Sequence, residues 1–102
     1  MTKLKRLILT EADLIILALS TGGKKISELR PITGLSLSSI YNNVRKLLET
    51  KLIFEEKSGN PPIRMLRLTE RGKQLSEKLI EIEKVLEQDV EPKKREYEIV
   101  PE

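Results

Sequence analysis

The stretch SELRPITGLSLSSIYNNVRK, residues 27–46, decides the fold. It reads as a short helix, a tight turn and a longer helix. Ser27 carries the kind of side-chain oxygen that satisfies the free N–H groups of a first turn. It is expected to cap a helix running from Glu28 to about Thr33. Pro31 falls early in that helix, where its missing N–H removes little. Gly34 stops the helix, Leu35 turns the chain, and Ser36 caps the longer helix, expected over residues 37–50. Ile40, Val44 and Leu47 recur at spacings of four and three residues, which is one buried stripe.

Upstream, Thr10 reads as an N-cap with Asp13 as its capping-box partner. The helix from Glu11 to about Ser20 carries Leu14, Ile15, Ile16, Leu17 and Leu19, apolar almost all round. Such a helix leaves no face for water. One side is expected to pack inside and another against a second subunit. Residues 1–9 form a basic arm with Lys3, Lys5 and Arg6.

Downstream, two β-prone runs, 52–57 and 63–68, flank the turn cluster Ser58-Gly59-Asn60-Pro61-Pro62, a hairpin. In its second run Ile63, Met65 and Arg67 face one way, Arg64, Leu66 and Leu68 the other. The pattern alone does not decide which face is buried. Thr69 caps a last helix, expected over residues 70–91, with Leu75, Leu79, Ile82, Leu86 and Val90 on one stripe. At about 1.5 Å per residue such a rod is about 30 Å long. That exceeds what a domain of this size needs to close its core. Pro92 ends the rod, and 92–102 is a charged tail.

The organisation is therefore mainly α with a small β-hairpin, an α+β class: arm 1–9, domain 10–68, helix 69–91 and tail 92–102. The order and the residues 26–48 resemble the helix-turn-helix of winged-helix transcription regulators. The Thr-Gly-Leu-Ser turn and the Ser-Ser-Ile-Tyr start of the longer helix carry the resemblance. The Leu68-Thr69-Glu70-Arg71-Gly72-Lys73 segment resembles the junction after the wing in the MarR and PadR groups. The resemblance implies a winged helix with a long C-terminal dimerisation helix. It also puts glycine where Lys51 stands, so Lys51 takes a left-handed backbone or the turn differs.

The chemistry of double-stranded DNA asks for what residues 37–50 offer. A helix in the major groove reads base edges with polar side chains near its N-terminus and middle. Ser38, Ser39, Tyr41, Asn42, Asn43, Arg45 and Lys46 are the candidates. On the resemblance, Ser38, Ser39, Tyr41 and Asn42 fall where the family meets DNA. Lys24, Lys25 and Ser27, at the start of the preceding helix, suit a phosphate. Lys57, Asn60 and Arg64, in the wing 52–68, suit the flanking backbone or minor groove. Leu79, Ile82, Val85, Leu86 and Val90 are read as a homodimer seam.

Composition narrows the classes. With 102 residues the chain makes one core. Cysteine and histidine are both absent, which removes disulfides, thiolate nucleophiles, imidazole bases and the usual zinc ligands. No enzyme activity, metal or cofactor is expected. No ligand is nameable, although a pocket between the first and last helices would suit an effector. Residues 1–68 hold 12 Lys and Arg against 6 Asp and Glu, and residues 69–102 hold 7 against 10. The front of the chain suits a polyanion and the back does not. The longest apolar run, 14–19, is too short to span a bilayer, so a cytoplasmic protein with no membrane partner is expected. Two further readings stay open: an architectural protein binding DNA without sequence choice, and a winged helix for protein–protein assembly.

Overall fold

The computed structural model describes residues 9–88. Six elements follow in order: α1 (Glu11–Leu19), α2 (Ile26–Thr33), α3 (Leu37–Glu49), β1 (Ile53–Ser58), β2 (Ile63–Leu68) and α4 (Glu70–Leu86). Of the expected arm only Leu9 is described, and it is buried in the core; the rest of the arm and the tail lie outside the described residues. Among the described residues, no helix is long and apolar enough to cross a membrane.

Capping starts α1 as the sequence implies. The Thr10 hydroxyl accepts from the Asp13 N–H at 3.1 Å, and the Asp13 carboxylate accepts from the Thr10 N–H at 3.2 Å. The helix is the centre of the domain. Leu14, Ile15, Ile16, Ala18 and Leu19 are buried, and Leu17 packs partly buried on the same core. α2, α3, β2 and α4 all pack around it. The second subunit expected on one side of α1 is therefore not needed to cover it: the chain's own elements do so. Each fully buried isoleucine here contributes about 1.5–3 kcal/mol of transfer energy.

α2 begins earlier than Ser27 suggests. Its N-cap is Lys25, with Ile26 as the first helical residue. The physical reason is Glu28, whose carboxylate accepts the Lys25 backbone N–H at 2.8 Å. A carboxylate at the third position satisfies the cap without a hydroxyl. Ser27 stands exposed in the first turn. At the other end Gly34 adopts φ 77° and donates its N–H to Arg30. Buried Thr33 donates its hydroxyl to the Leu29 carbonyl at 2.7 Å and accepts the Leu35 N–H at 3.2 Å. One threonine thus ties the end of α2 to the turn before α3, and no buried side-chain polar atom among the described residues lacks a partner.

Ser36 caps α3 through the Ser39 N–H at 3.2 Å, and Ile40, Val44 and Leu47 are its buried stripe. The helix closes on Lys51, which holds φ 62°. The Lys51 N–H reaches the Leu48 carbonyl at 3.1 Å, and the Leu52 N–H reaches Leu47 at 3.0 Å. That pairing is a Schellman closure, which favours glycine at the left-handed position. A Cβ there costs about 1–2 kcal/mol. Lys51→Gly is accordingly expected to raise stability by about 1 kcal/mol in urea unfolding, where an ordinary exposed glycine substitution lowers it.

β1 and β2 pair antiparallel, Ile53 opposite Leu68 and Lys57 opposite Arg64. Ile53, Leu66 and Leu68 are buried, so the inward face is the one carrying Arg64, Leu66 and Leu68. Lys24 adds a short third partner, exchanging two backbone hydrogen bonds with Leu66 at 3.0 and 2.8 Å. Thr69 then caps α4 through the Gly72 N–H and donates its hydroxyl to the Lys51 carbonyl at 2.7 Å. α4 ends at Leu86, short of the expected residue 91. Glu87 is its C-cap, and the two described residues past the helix, Glu87 and Gln88, are both exposed and give it no core to extend along.

Candidate nucleic-acid interface

The buried stripe of α3 leaves its opposite face outward. Ser38, Tyr41, Asn42, Arg45 and Lys46 are exposed on it, and Ser39 is half-buried. Asn42 is held in place by its neighbour: its amide oxygen accepts from Arg45 Nη2 at 3.2 Å. The Ser38 hydroxyl lies 3.4 Å from that of Ser36. Asn43 stands apart from this group. Half-buried, it donates its amide to the Ser39 carbonyl at 2.8 Å and to the Glu11 carboxylate at 3.2 Å. It ties α3 to the start of α1.

The wing supplies the second set. Lys57 and Asn60 are exposed, the latter in the turn. Arg64 pairs with Glu55 through Nε at 2.6 Å. The hydrogen bond that Arg64 donates to Glu55, and then the Glu55 charge, raise the Arg64 pKa above its ordinary value. This cation keeps its charge at any physiological pH. A groove of about 410 Å³ runs between α3 and the wing, with Tyr41, Arg45, Leu48, Glu55 and Arg64 among its walls. Three predicted residues, Tyr41, Arg45 and Arg64, therefore meet in one place. Glu55 escaped the sequence reading, because its partnership depends on strand register.

The third set is split. Lys25 and Ser27 are exposed at the start of α2. Lys24 folds back on its own loop, its ammonium donating to Thr21 Oγ1 at 3.0 Å and to the Gly22 carbonyl at 3.2 Å.

On α4 the expected seam also divides. Leu79 is buried in the chain's own core, so it cannot serve as a contact for a second copy. A helical stripe does not distinguish an internal partner from an external one. Leu86 packs partly buried against the same core. Ile82 is 41% exposed and Val85 61%. Val90 lies outside the described residues. Between the end of α1, the outer face of the hairpin and α4 is a second groove, of about 490 Å³, whose walls include Leu19, Phe54, Arg67, Lys73 and Ile80.

Comparison with known proteins places this arrangement. The profile of the HxlR-like helix-turn-helix family matches residues 12–99. The chain belongs to the HxlR-like helix-turn-helix family. No curated protein sequence matches it significantly. Among solved structures, Lactococcus lactis ZitR superposes with a TM-score of 0.68 at 15% identity, covering 78% of this chain and 55% of that one. A MarR family transcriptional regulator from Silicibacter pomeroyi gives 0.66 at 18% identity, with coverages of 76% and 55%. The reduced form of the transcriptional regulator YodB from B. subtilis gives 0.66 at 24% identity, with coverages of 79% and 81%. The chain thus spans 55% of the length of the first two. At these identities the superpositions show the winged-helix fold.

Within the HxlR-like fold, α2 and α3 are the two helices of the helix-turn-helix, and the hairpin is the wing. The resemblance to the MarR and PadR groups is thereby narrowed to a named family. The face of α3 opposite its buried stripe is the one this fold leaves free.

Proposed function

We propose that this HxlR-like chain is a transcription regulator that binds double-stranded DNA sequence-specifically as a homodimer. α3 enters the major groove and the wing lies on the flanking backbone or minor groove. Two copies of α3 reach successive major grooves, about 34 Å apart, on a pseudo-palindromic site. Its place is the cytoplasm, with the DNA. The observation that carries this reading is the outward face of α3. Ser38, Asn42, Arg45 and Lys46 stand exposed together there, beside a wing that adds Arg64 and Lys57.

The division of labour follows from the side chains. Asn42 is the candidate for adenine, since an amide matches its two groove-facing atoms. To do so it shares the oxygen now held by Arg45. Arg45 and Lys46 suit guanine or phosphate. Lys57, Asn60, Lys25 and Ser27 serve the backbone, which supplies affinity without selectivity. Asn43, committed to Ser39 and Glu11, contributes by fixing the pose of α3.

Selection from random duplexes is the test, and enrichment of a motif with two related halves is the expected result. Binding that enriches no motif would instead mark an architectural protein. A stable protein partner with no detectable DNA binding would mark an assembly module. Two substitutions separate the roles. Asn42→Ala is expected to lose about 1–3 kcal/mol of discrimination at one base pair. Lys57→Ala is expected to weaken all sequences alike and reduce the salt slope by about one. Titrations against matched and mismatched duplexes at several salt concentrations read both.

A further inference from the structure

A leucine and the aromatic ring of a tyrosine stand exposed at the start of α3, where polar side chains otherwise prevail. Leu37, the first residue of α3, is 41% exposed, and Tyr41, one turn further on, is 52% exposed. Four residues apart, they lie on one flank of the helix. The core does not call on Leu37: Ile40, Val44 and Leu47 already fill the buried stripe. Its neighbours Ser36 and Ser38 are exposed and polar, as is Asn42 beyond Tyr41. Long side chains on a helix lean towards its N-terminus. That lean puts Leu37 at the tip of α3, the end that approaches base edges in this kind of docking.

The edges of the major groove offer one strongly apolar group, the C5-methyl of thymine. We propose that Leu37, backed by Tyr41, reads a thymine methyl group in each half-site. The proposal rests on the reading of α3 as the DNA-reading helix and adds a specificity determinant to it. Hydrogen bonding by Asn42 and apolar contact by Leu37 then address different base pairs. A base pair without the methyl leaves the leucine facing water or the polar edge of cytosine, with nothing gained from its desolvation.

Deoxyuridine tests this, because it removes the methyl and leaves base pairing and the hydrogen-bonding edge unchanged. The full chain is titrated against its selected duplex, with each thymine replaced by uracil in turn. One position in each half-site is expected to weaken about four-fold, the worth of one buried methyl-sized group. In Leu37→Ala that sensitivity is expected to vanish, and in Leu37→Met to persist. Circular dichroism confirms that both variants keep the fold, as substitution of an exposed residue should. A selected motif that tolerates uracil everywhere overturns the inference and leaves the regulator reading standing. So does a uracil sensitivity that survives Leu37→Ala unchanged. Recovery of no motif at all overturns the sequence-specific reading itself and the inference with it.

Discussion

Gly72→Ala is expected to destabilise the domain by at least the upper end of the about 1–3 kcal/mol usual for over-packing. The sign is the informative part. In a helix, alanine in place of glycine ordinarily gains about 1 kcal/mol. Here Gly72 lies buried in the first turn of α4, against the chain leaving α3. A Cβ would collide with the backbone carbonyl oxygen of Leu52 and stand 3.1 Å from Leu68 Cδ2. The carbonyl cannot swing aside cheaply, because it accepts the Thr69 N–H at 3.1 Å. Thr69 in turn bonds Lys51. Relief of the clash means moving α4 away from the hairpin base. Urea unfolding of Gly72→Ala, beside Lys73→Ala as an exposed control one residue on, reads the effect. A Gly72→Ala variant as stable as the parent would show that the close approach of α4 to Leu52 is not maintained in solution.

Ile82→Glu combined with Val85→Glu is expected to leave the fold intact and abolish the proposed dimer. Both side chains are exposed on one flank of α4, so neither substitution opens a cavity. A carboxylate from each copy at a shared seam would meet its own symmetry mate, adding repulsion to lost apolar burial. Losing the second recognition helix removes the gain from simultaneous engagement, about 10²–10⁴-fold in affinity. Sedimentation gives the mass and titration of a two-half-site duplex gives the affinity. A doubly substituted chain that still sediments as a dimer places the seam elsewhere. A parent chain that is a monomer while bound to its two-half-site duplex removes the dimer from the proposal.

Much of the architecture is legible because it is written in local rules. Thr10, Ser36 and Thr69 cap the helices they announce, and the Ile40–Val44–Leu47 stripe is buried as its spacing implies. Lys51 takes the left-handed backbone for which the family resemblance asks glycine. The misread places share one cause, which is that their partners are distant or indirect. The start of α2 depends on a glutamate acting on backbone rather than on a capping hydroxyl. Leu79 and Ile82 belong to one stripe, yet α1 and its neighbours bury the first and leave the second exposed. Asn42 and Asn43 are adjacent and identical in type. A turn of about 100° between them sends one outward and the other towards Glu11. The Arg64–Glu55 pair becomes visible only with the register of the hairpin, which periodicity does not give.

The two hydrogen bonds between Lys24 and Leu66 have a consequence for behaviour at high concentration. A two-stranded ribbon has two open edges, and each is a template for pairing with another chain. At Leu66 the loop before α2 occupies the β2 edge, so a stranger's backbone finds its place taken. Among the described residues no strand pairs with the other edge of β1, and that strand carries three consecutive charged residues, Glu55, Glu56 and Lys57. Glu55, which anchors Arg64, and Lys57, the proposed phosphate contact, thus also put charge on an edge that would otherwise invite a further strand.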